Sequence, residues 1–289
     1  MSGVPDTVVL IAHAIGASDP GACPATVRVM TPHEAAVELD WISTEYLLRW
    51  FRPLPEVTIA EFGGAWAALT PGAPDADFLN KVYRLRPDDA GHVPAIVERY
   101  RAAGLRPWFE LAPHPEFARL ADALHAAGAR QLDFDVVLER ELPPALPPGP
   151  LPPGVAVAEV GPGDEDFVRV LPAGHDVPAE HLAAAVERTR HQARIEGARR
   201  YVATVDGAPA AAAALLLARG IAYLANASTL QAFRRRGCQG ALIRRRLADA
   251  AEAGYGRACV LTTWGSQSHH NLAAAGFRAA FNKVVWRIA

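Results

Sequence analysis

The sequence predicts an α/β protein (α+β type) built from two similar units joined by a proline-rich connector. Helix and strand patterns alternate along the chain, and glycines follow several of the helix patterns. One tail pattern, of helix, glycine, strand, loop, helix, glycine and strand, occurs on both sides of the connector. Such self-similarity indicates two copies of one structural unit. A chain of 289 residues is also long enough for two packed domains.

The connector covers residues 141–154. Seven of its fourteen residues are proline, which excludes a regular helix or a central strand and favours an extended, semi-rigid segment. The predicted division is therefore a first domain over 1–140, a linker over 141–154 and a second domain over 155–289.

The first unit shows helical spacing before its strands. Apolar spacing and glycine positions predict these elements in order: helix 34–50, strand material 57–69, strand 78–85, helix 93–103, strand 106–111, helix 115–127 and strand 131–138. The last two helices end before Gly104 and Gly128, as glycine C-caps do. Helix, strand, helix and strand thus close the first unit.

The second unit repeats that ending. The predicted elements are strand 155–160, helix 179–195, strands 201–205, 209–217 and 221–229, helix 239–253, strand 257–263, helix 269–275 and strand 277–288. The alanine-rich strand 209–217 depends on its flanking turn pairs, since alanine is a poor strand former. In helix 239–253, Arg244, Arg245 and Arg246 are expected on the side away from the apolar residues.

Composition excludes several classes of protein. Hydrophobic residues make up 51% and charged residues 21%, which is typical of a globular protein. The net charge of -2 gives no general attraction to nucleic acid. The three cysteines, Cys23, Cys238 and Cys259, fit neither a disulfide framework nor a zinc site. With no apolar run long enough for a membrane span, we expect a cytoplasmic protein without bound metal, as a monomer or homodimer.

One loop has the composition of a phosphate-binding site at the start of a helix. It consists of Arg234, Arg235, Arg236, Gly237, Cys238, Gln239, Gly240 and Ala241. Glycines let the backbone approach a ligand closely, and the first helical turn presents unpaired N–H groups and positive potential. Arginines add bidentate contacts to phosphate. The alternative interpretation is a basic helix start that faces solvent.

The surroundings of this loop resemble the GCN5-related N-acetyltransferase (GNAT) family. A strand hairpin precedes the loop, and an amphipathic helix, a strand, a Ser-x-x-Asn helix start and an Ala-Gly-Phe turn follow it. The family signature reads Q/R-x-x-G-x-G/A, and Arg234, Gly237 and Gln239 occupy its three positions; Gln239 departs from the small residue of the last one. The resemblance covers residues 155–289 and implies tandem GNAT-like domains, each a mixed, mostly antiparallel sheet flanked by helices.

The resemblance also implies a cofactor, acetyl-CoA or another acyl-CoA. The backbone of Ser228, Thr229 and Leu230 would pair with the pantetheine arm, amides from Arg235 to Ala241 would hold the pyrophosphate, and Asn271 would approach from the next helix. The implied activity is direct acyl transfer to a small-molecule amine in a ternary complex. The alternatives are a transferase that uses aminoacyl-tRNA on the same fold and a CoA-binding module without catalysis.

The groups that transfer protons are less evident. Many family members carry a tyrosine acid where this chain has Leu272. Ser268 and His270 lie nearby, and a histidine can titrate near neutral pH. The preferred interpretation is nevertheless a helix N-cap for Ser268 and an exposed first turn for His270. Tyr223 and Asn226 could order a catalytic water, or Tyr223 could be a core residue.

Two further segments take their interpretation from the family. His175 and Asp176 fall where the family builds its acceptor pocket, although a solvated loop before a helix is the alternative. In the first unit, the position of the phosphate loop holds Asp88 and Asp89, and carboxylates repel an anionic ligand. The first unit is therefore predicted to be a degenerate copy that no longer binds CoA.

Overall fold

A computed structural model describes residues 9–11 and 28–288. Predictions that concern residues 1–8 and 12–27, including Cys23, lie outside the described residues. The first half comprises β1 (Val9–Ile11), β2 (Arg28–Met30), α1 (Pro32–Phe51), β3 (Thr58–Phe62), β4 (Ala65–Leu69), β5 (Lys81–Tyr83), α2 (Val93–Ala102), β6 (Trp108–Leu111), α3 (Phe117–Ala126) and β7 (Ala129–Glu141).

The second half begins after the proline-rich linker. It comprises β8 (Val155–Val160), α4 (Glu165–Gly174), α5 (Ala179–Gln192), β9 (Ala198–Val205), β10 (Ala208–Ala218), β11 (Ile221–Tyr223), β12 (Ala227–Thr229), α6 (Cys238–Glu252), β13 (Arg257–Thr263), α7 (Gln267–Ala274) and β14 (Arg278–Ile288). The tail pattern predicted twice is present twice, as α2, β6, α3 and β7, and again as α6, β13, α7 and β14.

In the described part of the chain, strands from both halves form one twelve-stranded sheet. Its order is β3-β4-β5-β6-β14-β7-β13-β11-β10-β9-β8, with β12 attached to β10, while β1 and β2 form a separate antiparallel pair. Within the large sheet, β5 with β6 and β11 with β13 pair in parallel, and the other pairs are antiparallel. The predicted fold class, a mixed and mostly antiparallel sheet flanked by helices, is confirmed.

The two halves exchange their last strands at the centre of the sheet. β14 of the second half lies between β6 and β7 of the first half. β7 in turn lies between β14 and β13, both from the second half. The predicted boundaries of the linker and of the two domains stay a prediction, and the sheet crosses them without a break.

Helices cover both faces of this sheet. On one face, α1 of the first half packs with α4 of the second half in a core that includes Tyr46, Phe167 and Tyr223. On the other face, α6 covers the strands of the second half, and α2 and α3 cover those of the first. Helix α1 therefore lies over strands of both halves.

Some elements differ from those predicted. Strand 78–85 is shorter, because residues Asp77–Leu79 form a 3-10 turn before β5. Strand 221–229 is interrupted between β11 and β12. Helix α4 has no counterpart in the prediction because Pro172 lies inside it. The side chain of Arg246, expected on the polar side of α6, is buried at 1% exposure.

Three further features of the described residues concern membrane spans, metal ligands and cysteines. No helix among the described residues is both long and apolar enough to span a bilayer. Within the same residues, no cluster of three His, Cys, Asp or Glu side chains could hold a metal ion. Cys238 and Cys259 are free thiols, and both are buried.

Candidate functional site

A gap opens in the sheet between β12 and β13. β11 pairs with β13 through Ile221, Ala222 and Tyr223. The N–H of Leu224 then donates to the carbonyl of Cys259 at 2.9 Å. Beyond that point β12 pairs with β10, and β13 keeps only its partner on the other edge, β7, with which it pairs along its whole length. Two strands that are paired at one end thus separate toward their carboxyl ends.

Backbone groups of β12 face this gap. On the β10 side, Ala214 donates to the carbonyl of Asn226 at 3.0 Å, and Leu230 donates to the carbonyl of Ala210 at 2.9 Å. Because backbone groups alternate in direction along a strand, Ser228 also faces β10. The N–H and C=O groups of Ala227 and Thr229 consequently point into the gap.

A buried arginine supports the start of the gap. The Arg246 guanidinium reaches from α6 and donates to the carbonyl oxygens of Ala214 and Ala225, at 3.0 and 3.2 Å. Burial lowers the pKa of Arg246 to about 10, so the group remains a cation at neutral pH. It thus adds a hydrogen bond to two carbonyls at the strand interruption, of which that of Ala225 also accepts from the N–H of Ala214 at 3.2 Å.

The predicted phosphate loop lies at the carboxyl end of β12. Gly237 has a φ of 82° and begins α6, and no side chain caps this helix end. The first-turn N–H groups of Cys238, Gln239 and Gly240 have no acceptor within the helix. Arg235 has a φ of 65°, which a non-glycine residue adopts at a cost. Three unpaired backbone N–H donors and the exposed side chain of Arg235 therefore belong to the same loop.

The linker contacts this loop. A Cβ atom on Gly237 would lie 2.6 Å from Cγ of Pro152. Arg244, one turn and a half into α6, donates to the carbonyls of Pro148 and Pro150 at 3.2 and 3.1 Å. The proline-rich segment therefore packs along α6 and fixes the position of the loop that begins it.

Arg234 joins the loop to the predicted acceptor segment. Its guanidinium lies 2.6 Å from Asp176 Oδ2 and 3.2 Å from the carbonyl of Gly174. Gly174 ends α4 so close to β12 that a Cβ atom there would lie 2.9 Å from the amide nitrogen of Thr229. Asp176 thus forms an ion pair within the protein, whereas His175 is exposed. The Ser228 hydroxyl also bonds α4, through the carbonyl of Leu171 at 2.8 Å.

Residues at the start of α7 lie beside the carboxyl end of β13. Ser266, not Ser268, is the N-cap, because its hydroxyl accepts from the N–H of His269 at 3.1 Å. The interpretation of Ser268 as the cap is therefore wrong. His270 is exposed, with Nδ1 2.8 Å from the carbonyl of Ser266. Asn271 accepts a hydrogen bond from Gln267 at 3.0 Å.

Tyr223 and Asn226 lie on either side of the strand interruption. Tyr223 is 8% exposed and makes an edge contact with Tyr46 of α1 at 5.9 Å between ring centroids. Burial raises the pKa of Tyr223 well above its ordinary value, so its hydroxyl keeps its proton. Asn226 is half-buried. At the family's tyrosine position, Leu272 is 2% exposed in the apolar core.

In the first half, the corresponding loop contains a buried carboxylate, that of Asp89. Asp89 is buried and accepts hydrogen bonds from the backbone N–H of Gly64 at 2.9 Å and of Arg86 at 3.2 Å. Residues Pro87–His92 form a 3-10 helix that continues into α2. A buried carboxylate thus lies within this loop, where it binds the N–H of Arg86 in the loop and the N–H of Gly64 in the turn between β3 and β4.

A row of charged side chains crosses the central strands beneath α1, and the sequence patterns did not reveal it. Lys283 Nζ lies 2.6 Å from Asp40 Oδ1 and 2.6 Å from Glu110 Oε1, and Lys81 Nζ lies 3.3 Å from Glu110 Oε2. Burial opposes ionisation of Glu110, but Lys283 and Lys81 outweigh it and lower its pKa to about 2. These residues are scattered along the chain, so only the strand exchange brings them together.

The fold and the gap define a class of protein, a two-unit α/β protein whose second unit has a split sheet ending at a phosphate-type loop. Residues 169–269 match the family model described as an acetyltransferase (GNAT) domain. The resemblance of the C-terminal half to the GNAT family, predicted from the sequence, is therefore confirmed over residues 169–269. A comparison with curated proteins found no match.

Solved structures are similar over most of the chain. A tandem GNAT protein from the clavulanic acid biosynthesis pathway has 15% identity and a TM-score of 0.62, with 97% of each chain covered. A GCN5-related N-acetyltransferase from Kribbella flavida has 19% identity and a TM-score of 0.57, covering 86% of this chain and 95% of that one. A functionally unknown conserved protein from Staphylococcus epidermidis ATCC 12228 has 12% identity and a TM-score of 0.59, covering 82% and 96%. At these identities the likeness shows a shared fold.

Proposed function

We propose that the C-terminal half transfers an acyl group, most simply acetyl, from an acyl-CoA to the amine of a small molecule within a ternary complex. The observation that carries this proposal is the gap between β12 and β13, which leads to the loop that begins α6. Acyl-CoA enters as a substrate and is consumed. The acceptor would approach from the α1 face, where Tyr223 lies.

The groups around the gap fit an acyl-CoA. The backbone of Ala227 offers a donor and an acceptor, and Thr229 offers its N–H, for the amide groups of a pantetheine arm. The Thr229 carbonyl already accepts from Arg234 Nε at 3.3 Å. The open N–H groups of Cys238, Gln239 and Gly240 suit a pyrophosphate, and the cationic Arg235 adds to their attraction. Asn271 lies on the next helix, as the family resemblance implies.

The chain's own residues would contribute positioning and electrostatics. Backbone donors hold the acyl donor against one side of the gap, which converts a bimolecular reaction into one between oriented groups. The protonated Tyr223 hydroxyl is a donor that can stabilise negative charge developing on a carbonyl oxygen. Arg246, which reaches the sheet from α6, stabilises the strand interruption through its hydrogen bonds to the carbonyls of Ala214 and Ala225.

Calorimetry with acetyl-CoA tests this proposal. Arg235 is exposed in the loop of the second half, and Arg119 is an exposed arginine beside Asp88 in the first half. Arg235→Glu should weaken acetyl-CoA binding about tenfold or more, since it places a carboxylate beside the phosphates. Arg119→Glu should leave binding unchanged. Absence of acetyl-CoA binding to the folded wild type, or equal effects of the two variants, would contradict the proposal.

A second candidate is a module that binds CoA without catalysis. It is favoured by Leu272, which is buried where many family members carry the tyrosine that protonates the thiolate. Release of CoA thiol from acetyl-CoA in the presence of an amine would exclude this candidate. Activity without tRNA would likewise exclude an aminoacyl-tRNA donor.

The first half is proposed to be a degenerate copy that supports the second. Asp89 fills its loop with an internal carboxylate, and α1 covers the side of the gap where an acceptor would approach. The first half would then shape the acceptor site rather than bind CoA.

A further inference from the structure

We propose that Asp135, which the first half supplies on the exchanged strand β7, holds the ammonium group of the acceptor amine and takes a proton from it. This inference rests on the proposed function and adds the residue that recognises the amine. It also explains why strands from both halves are needed to build one site.

The strand register places Asp135 beside the gap. Asp135 is the direct partner of Thr263, the last residue of β13. Tyr223 is the parallel partner of Cys259. Three residues farther along the two strands, Asn226 therefore lies at about the same height along the sheet as Thr262, the residue before Thr263. Neighbouring strands are about 4.8 Å apart, so the backbone of Asp135 lies one strand spacing from the strand that borders the gap.

The side chain of Asp135 points to the face that α1 covers. Side chains alternate between the two faces of a strand, and on β7 the buried Val137 belongs to the core beneath α1, whereas Val136 belongs to the core beneath α6. Asp135 shares the face of Val137. Its carboxylate, which is half-buried, therefore lies on the same side of the sheet as Tyr223.

Charge balance leaves Asp135 as the carboxylate that still needs a cation. Four carboxylates, those of Asp40, Asp77, Glu110 and Asp135, lie around two lysines, Lys81 and Lys283. Lys283 lies 2.6 Å from both Asp40 and Glu110, and Lys81 lies 3.3 Å from Glu110. Both lysines are thus paired with carboxylates other than Asp135, since Lys81 also lies 4.0 Å from Asp77 Oδ2. No ion pair within 4.0 Å involves Asp135 among the described residues. The ammonium group of a bound amine would supply the positive charge that Asp135 lacks.

The surroundings also adjust the basicity of Asp135. The groups that interact with it are Tyr223 on β11, Thr263 on β13, Lys283 on β14, Glu110 on β6 and Lys81 on β5. Asp40 on α1 and Asp77 are further partners of these lysines, Asp40 paired with Lys283 and Asp77 with Lys81. Burial, followed by the negative charge of Glu110, raises the pKa of Asp135 to about 6, against the lowering effects of Lys81, Lys283 and the Thr263 hydrogen bond. Asp135 is therefore mostly ionised at neutral pH and is a stronger base than an ordinary aspartate.

The proposed step balances with one amine and one thioester. The ammonium gives one proton to Asp135 and becomes a neutral amine. The nitrogen lone pair then forms the C–N bond with the acyl carbon as the C–S bond breaks, and the sulfur keeps the electron pair. The second nitrogen proton reaches the sulfur, and the products are an amide and the CoA thiol. Asp135 returns its proton to solvent.

Asp135→Asn tests the assignment, with Asp133→Asn as the matched control. Asp133 precedes Asp135 by two positions on the same strand and is exposed, so the control removes one equal charge farther out. Each protein is assayed for CoA thiol release from acetyl-CoA with tyramine, ethanolamine, spermidine and lysine. For the amines that react, Asp135→Asn should raise KM at least about tenfold, as expected for loss of a charge-assisted hydrogen bond.

Further measurements separate this role from a structural one. The wild-type kcat/KM should rise with pH through about 6, and Asp135→Asn should lose that rise. Asp135→Glu should restore part of the activity, and calorimetry should give equal acetyl-CoA affinities for the wild type and Asp135→Asn. If acetyl-CoA does not bind, the proposed function fails. If an amine is acetylated with the same KM by the wild type and Asp135→Asn, or if Asp133→Asn loses as much, only the assignment to Asp135 fails.

Discussion

Lys283 Nζ lies 2.6 Å from Glu110 Oε1, although 173 positions of chain separate the two residues. Lys283 is fully buried, and Glu110 is 4% exposed. The pair joins β14 of the second half to β6 of the first. A buried pair of this kind stabilises the native structure only as long as both partners are present.

Lys283→Met should lower the free energy of unfolding by about 3–5 kcal/mol, because Asp40 loses its cation and Glu110 keeps only Lys81. Urea denaturation followed by circular dichroism measures the change. Arg101→Met removes an exposed pair with Glu98 and should change stability by no more than about 0.5 kcal/mol. A Lys283 variant as stable as the Arg101 variant would show that the buried row contributes little.

Gly237→Ala should weaken acetyl-CoA binding, whereas Gly254→Ala should not. The two glycines flank α6 and have φ values of 82° and 83°, so either substitution should cost about 1–2 kcal/mol of stability. A Cβ atom at Gly237 would also meet Pro152 at 2.6 Å, whereas nothing lies within 4 Å of one at Gly254. Only the first variant has to move the loop.

Calorimetry with acetyl-CoA, together with thermal denaturation, distinguishes the two effects. We expect both variants to lose stability, Gly237→Ala the more because of its contact with Pro152, and about a tenfold loss of affinity for Gly237→Ala alone. Equal affinities in both variants would mean that the position of this loop does not govern binding.

Asp135→Asn should stabilise the protein above about pH 6, even though it impairs the proposed reaction. The pKa of Asp135 is raised in the folded protein to about 6, from an ordinary value of 3.8. The folded state therefore binds the proton more tightly than the unfolded state, and stability falls as pH rises between these two values. Above about pH 6, Asp135 is ionised in the folded protein, and its ionisation lowers the free energy of unfolding by the full amount.

That lowering of the free energy of unfolding is on the order of 1–2 kcal/mol once solvent screening of the half-buried carboxylate is taken into account. Denaturation at pH 7.5 should show Asp135→Asn more stable than the wild type by this amount, and the difference should vanish near pH 4. A variant that is less stable at pH 7.5 would contradict the charge balance described for the row.

Much of the fold is predictable from local patterns in the sequence. Turn glycines and hydrophobic periodicity place α2, α3, α6 and β13 within one or two residues of their observed bounds, because these elements have clear ends and one apolar face. Helix α4 is missed because Pro172 breaks the expected pattern, although its N-cap Asp164 satisfies the amide of Phe167 at 2.8 Å. The N-cap residue Asp164 is the feature of the sequence that indicates the start of this helix.

The residues of the candidate site likewise include some that the sequence predicts and others that it does not. The loop from Arg234 to Ala241 is recognisable because its residues are contiguous and their spacing has a physical meaning. Asp135 and the buried lysines could not be recognised, because their proximity depends on which strands become neighbours. Arg246 is similar to Arg244 and Arg245 in sequence, and only the carbonyls of Ala214 and Ala225 explain why it is buried.

The central position of β14 also has a consequence for biosynthesis. β6 needs β14 as its partner, and a ribosome makes β14 long after β6. The first half therefore cannot complete its sheet during translation, and its partly formed edge stays open to other chains until β14 arrives. Because β14 and β7 each lie between strands of the other half, genetic separation of the halves would leave each half without a strand at the centre of its sheet.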